Sequence, residues 1–263
     1  MDMKRSLQAA IRKFHKTFAL RPLPDKVGLY FHCLEESQYA AFSECIKFWT
    51  SHGYRIVDIE DFVGLNQEKL LFLSFDDNYR SWHRALPLLD SLKAKATFFV
   101  NTKPIRGVAE RSEIDGYFDI ISHQGERETL SKTEICEIAE AGHTIGCHGH
   151  SHVNLGAVSE DVARTEILSS KKLLEDILQF RVADFSYPFG MRRNFKDSLR
   201  KFCLESGFRS ICNATPGLLY SKQTLHSLNR SSWDLEMPLE YNIDNIRIDG
   251  RIFELITGRS AVG

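Results

Sequence analysis

No run in the chain approaches the about 18 apolar residues that a membrane-spanning helix needs, no Cys-x-x-Cys pair occurs, and neither sign of charge dominates. The first absence excludes a hydrophobic membrane span. The second argues against a zinc finger, and the six scattered cysteines, Cys33, Cys45, Cys136, Cys147, Cys203 and Cys212, read as reduced and mostly buried thiols of a cytosolic protein. The third, a net charge of −1, argues against nucleic acid as the main partner, because phosphate-tracking proteins carry a basic excess or stripe. Met1 to Leu20 is basic but lacks the continuous apolar core of a signal peptide, so the expected location is cytoplasmic.

What is present suffices for one α/β domain: 263 residues, 43% of them apolar and 26% charged, can bury a full core. Residues 1–24 form a segment apart from the domain expected over 25–263. Leu7, Ile11, Phe14 and Phe18 repeat at helical spacing among Lys4, Arg5, Arg12, Lys13 and Lys16, and Pro22 and Pro24 end the pattern. This predicts an amphipathic helix packed on the domain's flank, or one lying on an anionic membrane face through residues 1–20.

From there strand-like and helix-like stretches alternate. Val27–Cys33, Tyr54–Ile59, Leu70–Phe75, Ala96–Val100, Thr144–Cys147, Val182–Tyr187 and Phe208–Cys212 read as strands. Tyr39–His52, Ser81–Leu92, Thr129–Ala141, Glu160–Leu178 and Lys196–Ser206 read as helices, and 103–127 as a long loop. Such alternation argues for parallel strands with helical crossovers, either a barrel or an open sheet.

Leu70-Leu-Phe-Leu-Ser-Phe-Asp-Asp77 is the stretch around which the rest is organised. An apolar run reads as a buried strand, and it ends in paired acids, which repel and are costly to desolvate unless something positive lies against them. A helix-capping turn is the plainer alternative. His148-Gly-His-Ser-His152 follows a second strand and Ser186-Tyr-Pro-Phe-Gly190 ends a third. In barrels and parallel sheets ligands sit at the carboxyl ends of strands, so the three clusters can meet at one mouth. His148 and His152 would share a face in a helical turn, whereas a strand would align His148, His150 and His152; either pattern with one carboxylate makes a metal site with open positions.

These motifs resemble the polysaccharide deacetylase superfamily, the NodB-homology or carbohydrate esterase family 4 group. Ser74-Phe-Asp-Asp77 is similar to its Thr-Phe-Asp-Asp, Gly142-His-Thr-Ile-Gly-Cys-His148 through Ser151-His152 and Asn154-Leu155 to its histidine motif, and Ala96-Thr-Phe-Phe-Val100 to its adjoining strand. The resemblance runs from about residue 27 to 230. It implies a single-domain, distorted (β/α)7 TIM-like barrel that removes an N-acetyl group from an amino sugar, sugar nucleotide, lipid-linked sugar or glycan. It also implies a divalent ion, Zn2+ first with Co2+, Ni2+ or Mn2+ as alternatives, on Asp77, His148 and His152, with Asp76 as the base and the backbone N–H of Phe189 as oxyanion donor. Such an ion lowers the pKa of bound water to about 7. Tyr187, Pro188 and Tyr79 are expected to touch the sugar.

The later motifs depart from the pattern. The third motif lacks its arginine, and Arg230 is the candidate to stand beside Asp76 instead. Gly149 replaces a hydroxyl residue, and the late Leu-x-His motif has no clean counterpart, leaving His226 as the nearby candidate acid. His32, at a strand end, is read as a second-layer or core residue that could face the mouth, and His15, His52, His83 and His123 as packing or loop residues. A deformylase or small amidase on the same fold, or an impaired sugar-binding relative, are the competing readings. The oligomeric state is not legible.

Overall fold

The computed structural model describes residues 21–65, 68–215, 219 and 223–248. The expected helix over 1–24 falls almost wholly outside these residues; 21–24 themselves carry no helix.

The strands are β1 (Lys26–Phe31), β2 (Arg55–Ile56), β3 (Leu70–Asp77), β4 (Thr97–Val100), β5 (Thr144–Cys147), β6 (Asp184–Ser186), β7 (Ser210–Asn213), β8 (Leu228–Asn229) and β9 (Ser231–Ser232). Every ladder between them is parallel, in the order β8-β7-β6-β5-β4-β3-β1-β9, with β2 beside the start of β3. The chain is an α/β single domain whose sheet closes. The segment 228–232 does the closing: Leu228 and Asn229 pair with Cys212 and Asn213 of β7, and Ser231 and Ser232 pair with Leu29 and Tyr30 of β1. Counting that segment as one stave, and β2 as an outlier, gives the distorted seven-stave barrel.

Closure requires close approach of backbones. A Cβ on Gly28 would lie 2.8 Å from the Asn229 carbonyl oxygen and 3.2 Å from Arg230 Cγ, so only glycine admits the closing stave there. β3 is buried along its whole length, as a strand covered on both faces must be.

Helices cover the outside. In α1 (Tyr39–Ser51) the buried face is Phe42, Cys45, Ile46 and Trp49, spaced at three and four residues. Trp49 packs edge-on against Tyr54 and Trp233. A short helix α2 (Ile59–Gly64) is capped by Asp58, whose carboxylate accepts the Asp61 N–H. The single helix expected over 81–92 is two: α3 (Ser81–Arg84) and α4 (Leu86–Ser91). Pro87 lies in the first turn of α4, where it lacks a donor for the preceding turn.

The expected loop 103–127 contains a helix, α5 (Arg111–Ile120), which buries Ile114, Tyr117 and Phe118 and starts with a Glu110/Glu113 capping box. Two aspartates and Gly116, all weak helix formers, hid it in the sequence. Then come α6 (Lys132–Glu140), capped by Ser131; α7 (Glu160–Leu178), capped by Ser159 and ended by Gln179 at φ 57°; α8 (Asp197–Glu205); and α9 (Leu239–Arg247). All six cysteines are free thiols, and no described helix is long and apolar enough to cross a membrane.

Candidate active site

The barrel places the carboxyl ends of β3, β5 and β6 around one cleft of about 460 Å³, lined by Asp76, Asp77, His148, His152 and Phe189 among others. Asp76 and Asp77 are the last two residues of β3, and side chains alternate along a strand, so the two carboxyls take different neighbours.

Asp77 faces the histidines. Its Oδ1 lies 3.5 Å from His148 Nε2 and 3.2 Å from His152 Nε2, and all three residues are buried. Three atoms held about 2.0–2.2 Å from a tetrahedral ion stand about 3.3–3.5 Å from one another, so these separations fit a single divalent cation. The donor chemistry fits as well. His148 Nδ1–H donates to the Ser186 carbonyl at 2.7 Å, which fixes the tautomer and turns the Nε2 lone pair toward Asp77. The Tyr79 hydroxyl donates to Asp77 Oδ2 at 3.2 Å. Burial pushes the Asp77 carboxyl up, but the two imidazoles set against it outweigh burial and hold the group well below the usual range.

Asp76 turns the other way, onto Arg230. The guanidinium is fully buried where the closing stave passes between β8 and β9, and every one of its N–H donors is used. Nη1 donates to Asp76 Oδ1 at 2.7 Å and to Ser74 Oγ at 2.8 Å; Nη2 donates to Asp76 Oδ2 at 2.8 Å and to Ser186 Oγ at 2.7 Å; Nε donates to the Asn213 carbonyl at 3.1 Å. The rings of Tyr30 and Phe99 lie 5.2 and 5.1 Å from it. Burial alone would raise the Asp76 carboxyl; the Arg230 charge outweighs it and holds the group below its ordinary value.

Backbone strain concentrates here. Asp77, His152 and Phe189 have φ of 91°, 59° and 66°, a region that costs non-glycine residues about 1–3 kcal/mol each. Gly149 in the same loop is at φ 79°, a conformation that glycine adopts without that cost. The loop is held instead by Glu166 of α7, whose carboxylate accepts from His150 N at 3.1 Å, Ser151 N at 2.7 Å and Ser151 Oγ at 2.6 Å. Asn101, just past β4, donates to the His148 carbonyl at 2.6 Å.

The remaining expected residues divide. Phe189 is 50% exposed on the cleft wall, with its ring 4.8 Å from His152 and its N–H engaged by no hydrogen bond of the described residues. Tyr79 lines the cleft, but its hydroxyl is on Asp77 and its ring packs edge-on against Trp82 and His123, so it offers no stacking face. Tyr187 and Pro188 are buried and do not line the cleft; Tyr187 stacks on Phe195 at 4.5 Å. His226 is on an exposed turn before β8. Since β8 runs parallel to β7, that turn lies at the amino-terminal rim, opposite the mouth. His150 is outside the three-residue group, with Nδ1 on Thr102 Oγ1 at 2.9 Å.

Two further imidazoles line the cleft: His32, just past β1, exposed and edge-on to Tyr30, faces the mouth as its strand-end position allows, and His123, read as a packing or loop residue, lies in the loop after α5, where ring burial lowers its pKa. His83, read as unpartnered, pairs with Glu137 at 2.6 Å. Ser186 and Asn101 are polar residues at strand ends and Ser74 is a serine within the apolar run of β3, so the sequence marks all three, whereas nothing in it marks Glu166 in the middle of a long helix.

Residues 64–210 match the family model for polysaccharide deacetylase. The Bacillus subtilis (strain 168) protein YxkH, which carries a provisional polysaccharide deacetylase name, is 24% identical over 164 residues, 62% of this chain and 51% of its own length. The chain thus spans about half of that curated relative. Among solved structures, the Streptococcus pyogenes deacetylase PplD in complex with acetate superposes with a TM-score of 0.64 at 20% identity, over 86% of this chain and 99% of that one. IcaB from Ammonifex degensii gives 0.63 at 20%, over 82% and 94%. Both likenesses are of fold.

Proposed function

The chain belongs to the polysaccharide deacetylase family, and from that premise we propose that it is a metal-dependent hydrolase that removes an N-acetyl group from an amino sugar of a glycan. The reading is carried by the division of labour between adjacent acids: Asp77 completes a three-residue ligand set while Asp76, next in the chain, is kept off it by Arg230.

Asp77, His148 and His152 would hold a divalent ion, Zn2+ by their donor set, which when bound polarises the amide carbonyl and acidifies a water. Asp76 takes the proton of the attacking water. Its carboxylate has about four lone-pair sites, of which Arg230 and Ser186 use three, so one remains for that proton. Arg230 keeps the group ionised and fixes its plane, which serves orientation as much as charge. The Phe189 N–H, on a strained turn at the cleft wall, is the donor for the developing oxyanion, a contact whose loss costs about 10²–10³-fold in rate.

An amine leaves only if it is protonated as the C–N bond breaks. Of the groups lining the cleft that are neither ligand nor base, His32 is exposed at its rim, and we assign it the delivery of that proton in place of His226.

The test is acetate release by the purified, metal-loaded chain from N-acetylated amino sugars and glycans, with N-formylated sugars and small amides alongside. Acetate from the sugars, abolished in Asp76→Asn, supports the reading; turnover confined to formamides or small amides moves the chain to another carbon-nitrogen hydrolysis, and no turnover with bound sugar makes it a binding protein.

A further inference from the structure

β4 lies between the two strands that deliver Asp77 and His148. Its last residue, Val100, pairs with Asp77 of β3 on one side and with Cys147 of β5 on the other, so Asn101, the next in the chain, sits between Asp77 and His148. Asn101 is fully buried, lines no part of the cleft and is outside the ligand group, so it touches neither substrate nor ion.

Every polar group of this residue is used, and most of its bonds end on the ligand segments. The N–H donates to the Asp77 carbonyl at 2.8 Å, and Nδ2 donates to the His148 carbonyl at 2.6 Å and the Gly149 carbonyl at 3.3 Å. β5 ends at Cys147, and the Asn101 amide takes over from the ladder where that strand stops. The Asn101 carbonyl accepts from Asn78 Nδ2 at 2.9 Å, and Asn78 Oδ1 in turn accepts the Leu130 N–H at 2.8 Å. Tyr117 of α5, itself buried, donates its hydroxyl to Asn101 Oδ1 at 3.0 Å. That bond sets the orientation of the amide: with Oδ1 held by the phenol, Nδ2 is turned to the histidine loop.

Two of the three ligands lie on backbone that does not hold itself. Asp77 has a φ of 91°, a conformation that persists only where its surroundings fix it, and His148 is the first residue past its strand. We propose that Asn101, oriented by Tyr117, is a positioning residue that holds Asp77 and His148 at ion-binding separation, acting through their carbonyls. The proposal rests on the metal-dependent reading and makes α5 a support of the metal site. Ile120, in the turn of α5 after Tyr117, lines the cleft, so one helix carries both a wall of the cleft and the brace of a ligand.

The test separates positioning from stability. Zn2+ affinity of the folded protein, from competition with a chromophoric chelator, and the visible absorption of the Co2+-loaded chain are measured for Asn101→Leu, Tyr117→Phe and the double variant, alongside urea unfolding of the metal-free proteins. Asn101→Leu should weaken Zn2+ binding by about 10–100-fold, the loss typical of an outer partner of a ligand, and should change the Co2+ spectrum. It should also destabilise the metal-free chain, because it strands the Tyr117 hydroxyl. Tyr117→Phe keeps the amide donor but frees its orientation, and should weaken Zn2+ binding several-fold. In the double variant the stranded hydroxyl is gone, so stability returns in part, whereas affinity does not, because the His148 carbonyl still lacks its donor. Native affinity and spectrum in folded Asn101→Leu, affinity that recovers together with stability in the double variant, or unchanged affinity in Tyr117→Phe overturns the proposal. Failure of the native chain to bind either ion overturns the metal-dependent reading, and the proposal with it.

Discussion

Replacing Arg230 by methionine leaves the Asp76 carboxylate buried with Ser186 as its remaining donor, because the bidentate pair at 2.7 and 2.8 Å supplies both of its strong contacts. Removing one member of such a buried pair costs about 3–5 kcal/mol, since the other is left charged without compensation. Asp76→Asn costs a similar amount by stranding the guanidinium. The double variant removes both charges, so its loss should equal about one single loss rather than two, a coupling of about 3 kcal/mol between groups in contact.

The pH dependence carries a sign. In the native protein the Asp76 pKa is depressed, so its stabilisation is in place above the unfolded value of about 3.9 and is lost as pH falls through the folded one. Without Arg230, burial raises the folded pKa above the unfolded one, the ionised group is penalised, and the penalty is relieved as pH falls. Urea unfolding followed by the fluorescence of buried Trp49, Trp82 and Trp233 should therefore show a gap between Arg230→Met and native protein that narrows between pH 7 and about pH 4. Additive single losses, or a gap that does not change with pH, would refute the argument.

His32→Ala should lower kcat by about 10²–10⁴-fold with metal retained, while His226→Ala leaves kcat/KM unchanged; steady-state kinetics with the reverse outcome would restore the late-motif histidine. Glu166→Ala removes three hydrogen bonds from the His150–Ser151 loop and should weaken metal binding by about 10–100-fold in a chelator competition, with unaltered affinity contradicting its role in positioning His152.

The parts of the site legible in the sequence are those whose chemistry conflicts with their local setting. Paired acids ending the apolar run Leu70–Phe75 and a histidine cluster after Thr144–Cys147 make no sense as packing, and so point to a mouth. Arg230 was legible only through the arginine missing near Ser186; no local pattern shows a guanidinium entering the barrel between two strands of two residues each. His226 stood in for the late Leu-x-His motif, and a motif position says nothing about which end of the barrel a residue occupies: the direction of β8 sends it to the far rim. Tyr187, two residues before the cleft-lining Phe189, likewise turns inward and stacks on Phe195 instead of facing the cleft. Helix α5 and the break between α3 and α4 were lost to weak propensity and a single proline, features that tertiary packing overrides.

Metal content of purified variants, read by elemental mass spectrometry, bears most directly on the central claim that one carboxylate and two imidazoles gather a cation beside an acid left free. About one divalent ion per chain in the native protein and in Asp76→Asn, with essentially none in Asp77→Ala, is the result this geometry predicts. Full occupancy in Asp77→Ala, or its loss in a folded Asp76→Asn, would contradict it.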